Sequence, residues 1–525
     1  MGCMTRAICA ASGIAALLFL LSSCWLGRIE RSGALHDDLL LDGGVPATLY
    51  LPGVSPTVMP FFDFPVRQDR PPGVALAHGF ALDRCAVSTL ARRLAAAGYA
   101  VLTFDASGHG QSRAGYARSR ARPDALYTDF VAAVDFLRAS PFVDGERIAV
   151  AGHSMGAAAA LDFATRDSGI DAAVMISGGW TLAGPFRPAN ALFLYADREP
   201  DAIRERSHAL AARLAEVEAV RVGQTYGDPG RGNAVRVALV PDASHGNIVY
   251  KAATAELVLA WLDAAFGIER PAPTIARDPR WRLVQLAGIA FALVLPGLGV
   301  LIGRLLPPGT PRGAGDRGAA HLALAAALFA VLPLQALDAP LVPLPIEIGD
   351  AVASHFALAG IALLVWLARK GRLAAPLSGQ LSSATLLGAG AALVIFALLL
   401  QPIGTVFHRM ALTPPRALAF ASTALVLLPF TFAFQSALRV GSPGVAALRA
   451  LAGRVLVVAA LVTGVWTGVS SWLVLAVLPL FVSVFACFEL LAAFLYTASR
   501  NRVALALIEA GWLAFVMAAV LPMRA

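Results

Sequence analysis

Apolar and polar positions alternate on two length scales along this chain. Over residues 36 to 275, short apolar runs are separated by stretches containing Gly, Pro and Asp, and several longer segments between them carry helical spacing. The runs Val74 to Ala77, Ala100 to Phe104, Arg147 to Ala151, Ala172 to Ile176, Ala191 to Ala196 and Val235 to Val240 predict strands. Ser88 to Ala97, Ala125 to Ala139 and Ala202 to Ala219 predict helices. Strands alternating with helices predict an α/β domain with a mostly parallel sheet, whose ligands bind at the carboxyl ends of the strands. Outside this region the apolar runs lengthen to the span of a bilayer. Ile8 to Leu26 is one such run, and beyond a proline-containing linker at Pro271 to Arg280 they recur at 283–303, 319–337, 351–368, 382–401, 417–438, 452–470, 472–496 and 503–522. The pattern therefore predicts an N-terminal segment (1–27), an α/β domain (36–270), a linker (271–280) and an all-α polytopic membrane domain (281–525). That domain has eight spans, nine with the N-terminal one, with the count open by one where two runs merge around Gly468.

Composition supports the membrane assignment. With 525 residues, 58% hydrophobic and only 14% charged, and a mean hydropathy of +0.68, the chain is too apolar for an ordinary soluble protein. A net charge of +8 and a pI near 9.6 raise nucleic acid as a partner, but the arginines are scattered or lie between apolar runs, and no basic stripe forms. No nucleic-acid partner is expected. The arginines fit positive-inside topology instead. Arg304, Arg312 and Arg317, then Arg369, Lys370 and Arg372, then Arg439, Arg449 and Arg454, then Arg500 and Arg502 mark cytoplasmic loops. The loop with Asp338, Glu347 and Asp350 is acidic, as expected outside, and His408, Arg409 and Arg416 are a partial exception. Counting back places residues 36–270 outside the cytoplasm, and the Ala-, Arg- and Pro-rich composition suggests a bacterial plasma membrane. The first apolar segment reads as a signal peptide or signal anchor. Leu21-Ser22-Ser23-Cys24 resembles a bacterial lipobox, in which Cys24 would be lipidated; an uncleaved anchor is the other reading. The five cysteines show no disulfide framework or metal-type spacing.

Candidate chemistry clusters where the strand pattern says it should. The run Ile148 to Ala160, IAVAGHSMGAAAA, ends a strand in Gly152-His153-Ser154-Met155-Gly156 and passes at once into helix-favouring alanines, the context a G-x-S-x-G serine requires. Small residues let such a corner close, which lifts the Ser154 hydroxyl above the sheet edge and aims the Met155 N–H at a developing oxyanion. Two further strand ends carry Ala77-His78-Gly79-Phe80 and Asp105-Ala106-Ser107-Gly108-His109-Gly110-Gln111-Ser112. The succession HGF, DASGHGQS, GHSMG resembles the α/β-hydrolase family over roughly residues 40 to 268. The resemblance implies an α/β-hydrolase fold and a second oxyanion N–H from Phe80 beside that of Met155. It also implies the chain order nucleophile, acid, base. The run Ala191 to Ala196 leads into Asp197-Arg198-Glu199-Pro200-Asp201, where the family's register sets the acid at Glu199; Asp197 or Asp201 can serve instead. Val235 to Val240 leads into Pro241-Asp242-Ala243-Ser244-His245-Gly246, which resembles the family's base loop and implies His245 as the base.

The other histidines have plainer readings. His78, His109 and His153 sit in turns and read as packed, hydrogen-bonded residues, and His208 lies in a charged helical run and reads as exposed. Between the strands ending at Ile176 and starting at Ala191, SGGWTLAGPFRPAN leaves no room for a helical lid, and Trp180 and Phe186 are candidates to line an acyl pocket. The reading is a membrane-bound serine hydrolase acting on an ester, lipid or peptide, ester preferred, with no metal or other cofactor and with membrane lipids as neighbours. Eight spans exceed what an anchor needs, so a transport or membrane-assembly protein whose hydrolase-type domain only binds a ligand is the competing reading. Glu489 and Glu509 are candidates for a polar site within the membrane; otherwise they are interface carboxyls reaching water or pairing with Arg500 and Arg502.

Overall fold

The alternating pattern of residues 36–275 becomes nine strands in one sheet, ordered β1-β2-β4-β3-β5-β6-β7-β9-β8. The computed structural model describes residues 2–32, 36–52, 70–116, 125–179, 184, 186–270, 278–310, 318–335, 343–373 and 380–524. Trp180, linker positions 271–277 and the loop charges Arg312, Arg317 and Asp338 lie outside the described residues. The strands are β1 His36–Leu41, β2 Val45–Tyr50, β3 Pro72–Ala77, β4 Ala100–Phe104, β5 Asp144–His153, β6 Ala172–Ile176, β7 Ala191–Arg198, β8 Thr225–Tyr226 and β9 Val235–Ser244. Pairing from β4 through β3, β5, β6 and β7 to β9 is parallel, while the edges β1-β2 and β8 pair antiparallel. The sheet is that of the α/β-hydrolase fold, mostly parallel with helices between its strands.

Five helices serve this sheet: α2 Ser88–Ala96, α3 Ala125–Ala139, α4 Met155–Ala164, α5 Asp201–Ala215 and α6 Ala252–Phe266. The strands are apolar at consecutive positions because both faces are covered. Ala75, Ala77, Ile148, Val150, Ala173 and Met175 point into one core with Phe130 and Val134 of α3 and Ala157 and Leu161 of α4. Their alternate neighbours Val74, Leu76, Ala149, Ala151, Val174 and Ile176 are equally buried, and α2 and α6 pack against one another.

The chain falls into two compact units. One comprises Cys24–Val284 with Gly404–Arg409 and Arg524–Ala525; the other comprises Met1–Ser23, Gln285–Ile403 and Met410–Met523. In the first, two residues that break the sequence's charge pattern are engaged by carboxylates. The Arg409 amide donates to Asp83 at 2.7 Å, its guanidinium holds both Asp38 oxygens at 2.8 Å, and His408 lies 3.6 Å from Asp83.

Among the described residues, eight helices are long and apolar enough to cross a membrane: Arg6–Ile29 within α1 (Gly2–Ser32), and Arg280–Leu305, Gly349–Arg369, Ser383–Gly404, Pro414–Leu438, Pro443–Trp466, Leu473–Ser499 and Arg502–Val520. The expected span 319–337 does not form one helix. Ala319–Ala330 ends at Val331 and Leu332–Gln335 follows, with Pro333, which has no N–H to donate, in the first turn of the second piece. The runs around Gly468 stay separate, with Gly468 at φ +73° between them.

Glu489 and Glu509 do not turn to Arg500 and Arg502. They join one ring of five side chains within the second unit, with Gln435, Arg439, Arg454 and Glu509 buried and Glu489 partly buried. Arg439 donates to Gln435 Oε1 (3.1 Å) and to Glu489 Oε2, Arg454 donates to Glu489 Oε1 (3.1 Å) and Glu509 Oε1 (2.5 Å), and Gln435 Nε2 closes the ring on Glu509 Oε2 (2.5 Å). Phe434, Phe485 and Phe488 stack around the Arg454 guanidinium. The sequence pattern set Arg454 near the mouth of a span, but the helix begins at Pro443 under a Ser442 cap, so Arg454 lies three turns inside it. Arg500 instead donates to the Gly441 carbonyl.

Candidate active site

The strand-to-helix corner between β5 and α4 places Ser154. Its φ of +53° and ψ of −111° lie where an L-residue is strained. The neighbours show why small residues flank it. A Cβ on Gly152 would sit 2.2 Å from the Gly156 carbonyl group, and one on Gly156 would meet the His78 carbonyl oxygen at 2.5 Å. At the head of α4 the Met155 N–H has no intrahelical acceptor, and Phe80 follows β3 in the adjacent turn, its ring packed on His109 and Tyr116.

His245 comes to Ser154 from the end of β9. Its Nε2 lies 3.0 Å from Ser154 Oγ and its Nδ1 lies 2.5 Å from Glu199 Oε1. A carboxylate only accepts, so Nδ1 carries the proton and Nε2 is left to accept from the serine hydroxyl. Of the three acids after β7, Glu199 is the one that reaches the imidazole. Its second oxygen accepts from Ser177 Oγ at 2.6 Å and from the Ala196 amide at 3.2 Å. Burial alone would raise the Glu199 carboxyl, but the hydrogen bonds from His245 and Ser177 outweigh it and hold the group below its ordinary value. Asp197 instead grips the loop that carries His245, accepting from the Asp242 and Ala243 amides at 3.0 and 2.8 Å. Asp201 pairs with Arg204 at the exposed start of α5.

His78 and His109 have structural partners. The His78 ring bonds the Gly79 carbonyl (2.8 Å) and accepts from the Ala106 amide (3.1 Å), tying the Phe80 turn to the 105–112 loop. His109 bonds the Ser107 carbonyl, and Ser107 is in turn held by Asp129 of α3 through its amide (2.7 Å) and hydroxyl (2.9 Å). His208 is half-buried against Tyr195, where an exposed side chain was expected.

Phe186 does not come to Ser154. The Gly184 and Phe186 amides bond the Thr165 hydroxyl and carbonyl, which pins this loop to the far end of α4, about 15 Å along the helix from the serine. Its ring is 45% exposed there. Ser177 and Asp129 had no signal in the sequence, since each acts on a partner 22 residues away. Ser177 also adopts a left-handed φ of +53°, which no local pattern announces.

A family described as serine aminopeptidase, S33, matches residues 71–203, from β3 through the Ser154 corner to the start of α5. The match includes Ser154 and Glu199 and ends before His245. A thiohydrolase, aneE, of Aspergillus aculeatus is 32% identical over 145 residues, which are 27% of this chain and 43% of the relative, so the chain spans less than half of that relative's length. Among solved structures, a hypothetical protein of Pseudomonas aeruginosa is similar at 18% identity, with a TM-score of 0.32 over 44% of this chain and 94% of that one. A puromycin-hydrolyzing peptidase of Mycobacterium tuberculosis is similar at 19% identity, with a TM-score of 0.32 over 46% of this chain and 42% of that one. By the arrangement of its sheet and helices and by the family match over residues 71–203, the chain carries a hydrolase domain of the α/β-hydrolase superfamily, in one polypeptide with helices long and apolar enough to cross a membrane.

Proposed function

We propose that this domain is a serine hydrolase that cleaves an acyl bond, an ester or lipid ester in preference to a peptide, through a covalent acyl-enzyme. The observation that carries the reading is the unbroken chain of hydrogen bonds from Ser154 Oγ to His245 to Glu199. A serine hydroxyl is a poor nucleophile at neutral pH. His245 Nε2 takes its proton as Oγ attacks the acyl carbonyl and returns that proton to the leaving group. Glu199 fixes the imidazole tautomer and stabilises the imidazolium that forms. The Phe80 and Met155 amides hold the tetrahedral oxyanion, each such donor being worth about 3 kcal/mol in a comparable site. Water, activated by the same imidazole, then releases the acyl group.

The residues proposed for these roles come from four strand ends, which is where an α/β sheet presents its chemistry. The family description names a serine aminopeptidase and the relative is named a thiohydrolase; hydrolysis of an acyl bond by this set of groups agrees with both names. The domain is assigned to the extracytoplasmic side of a bacterial plasma membrane, since Arg304, Arg369, Lys370, Arg372, Arg439, Arg500 and Arg502 mark the cytoplasmic loops. That assignment requires the broken helix 319–335 to cross.

Labelling of membranes with a fluorophosphonate probe tests the reading. Wild type is expected to label and both Ser154→Ala and His245→Ala to lose the label; an unlabelled but folded wild type overturns it. The buried ring around Arg454 favours a second reading, in which the membrane unit carries the function as a transport or assembly device. A cellular function lost in Glu489→Gln and retained in Ser154→Ala would establish that reading instead.

A further inference from the structure

The residue before the nucleophile holds the loop that carries the base. His153 is buried, and its Nε2 lies 2.9 Å from the backbone carbonyl oxygen of His245. A carbonyl only accepts, so His153 carries its proton on Nε2, and its buried Nδ1 has no hydrogen-bond partner. Burial, then the neighbouring imidazole of His245, pushes His153 down to about 3, so it stays neutral across the physiological range. The two rings lie 5.1 Å apart. A neutral ring matters at that distance, because the imidazolium formed on His245 during the reaction would be opposed by a second positive charge.

The 240s loop has other ties, from Asp197 to the Asp242 and Ala243 amides and from Asn247 Oδ1 to the Ser244 amide at 2.8 Å. Those fix the loop to β7 and to itself. Beside the contact of the His245 ring with Ser154 Oγ, the His153 bond ties the backbone of this loop to the strand end that bears the serine, one residue from Ser154 along the chain. The packing there is close: a Cβ on Gly79 would sit 2.9 Å from His153 Nδ1. Resting on the serine hydrolase reading, we infer that His153 is a positioning residue, which holds the His245 backbone in register with Ser154 through a neutral Nε2–H donor.

The test uses the full-length protein in detergent and the rate at which a fluorophosphonate labels it, with turnover of a soluble p-nitrophenyl ester as a second readout. His153→Gln keeps an N–H donor near the Nε2 position, whereas His153→Asn keeps polarity but falls short of the carbonyl, and His153→Leu has no donor. Misplacement of a catalytic group by about 1 Å costs up to ~100-fold. Asn and Leu are therefore expected to slow labelling by at least ~10-fold and to lower kcat with little change in KM, while Gln stays within ~3-fold of wild type. Ser154-dependent labelling at the wild-type rate in His153→Asn overturns the inference, as does Gln being as slow as Leu. Labelling that persists in Ser154→Ala overturns the hydrolase reading itself, and the inference with it. Thermal transitions of the Asn and Gln variants separate a loss of fold from a loss of rate.

Discussion

At the scale of single residues, the site turns on which groups are held charged and which are held neutral. Glu199 is buried yet kept ionised by donors on both oxygens, from His245, Ser177 and the Ala196 amide. Glu199→Gln keeps the shape but offers an amide where the imidazole needs an acceptor, and a kcat lower by about 10⁴ is expected, read from ester turnover. Asp129 is the opposite case. Burial raises its carboxyl to about 6, against the hydrogen bonds it accepts from Ser107. The folded state thus holds this proton more tightly than the unfolded chain does. Stability from Asp129 is greatest below its ordinary 3.8 and falls as pH rises from there to about 6, a total of about 3 kcal/mol. Asp129→Asn retains an acceptor for the Ser107 amide and cannot ionise, so this decline is expected to disappear from thermal midpoints recorded across that range. Ser154, His245 and Glu199 were legible because each follows an apolar run at a strand end. Ser177 and Asp129 were not, because their partners are set by the pairing of β6 with β7 and by the packing of α3, neither of which leaves a local pattern.

At the scale of elements, the corner between β5 and α4 leaves no space for a side chain larger than hydrogen at Gly152 or Gly156. Backbone, not a flexible side chain, stands 2.2 Å from where a Gly152 Cβ would be. Overpacking of cores costs 1–3 kcal/mol, and rigid backbone leaves no room to relax, so Gly152→Ala is expected to cost about 3 kcal/mol or to prevent accumulation of folded protein. A Gly152→Ala variant that folds with an unchanged thermal midpoint would contradict this geometry. The central strands were readable because both of their faces are buried and their apolar runs are continuous. The hairpin β1-β2 was not, since the HDDLLL run of β1 neither alternates nor stays apolar, and its place is fixed by the antiparallel pairing of β2 with β4. The helix expected at 319–337 breaks at Val331, just before Pro333, which lacks a backbone donor; Pro296, Pro402, Pro429 and Pro479 are carried inside continuous helices, so the proline is not sufficient by itself and hydropathy does not register the break.

At the scale of the whole molecule, the hydropathy pattern located the membrane helices but could not pair the charges within them. Arg439 and Arg454 read as loop arginines because positive-inside logic treats every arginine between apolar runs alike. Arg454 lies inside the helix Pro443–Trp466, and Arg439, just past the end of Pro414–Leu438, turns its buried side chain inward, so that both join a charge-balanced ring with Glu489, Glu509 and Gln435. Ions removed from water cost several kcal/mol each unless paired, so this ring ties four helices together only while it is complete. Arg454→Met removes the donor that bridges both glutamates and leaves Glu509 bonded within the ring to the neutral Gln435. A loss of about 3–5 kcal/mol is expected, seen as a lower thermal midpoint in detergent. Adding Glu509→Gln to Arg454→Met removes the isolated charge, and the double variant is expected to recover part of that loss; a double variant less stable than the single one would show that the ring is not held by charge pairing. Ser154, His245 and Glu199 lie in a unit with its own core. In native membranes, the double variant should therefore keep fluorophosphonate labelling of Ser154 within about 3-fold of wild type if the ring is a structural tie. Loss of labelling in a folded double variant would mean instead that the ring and the serine site work as one device.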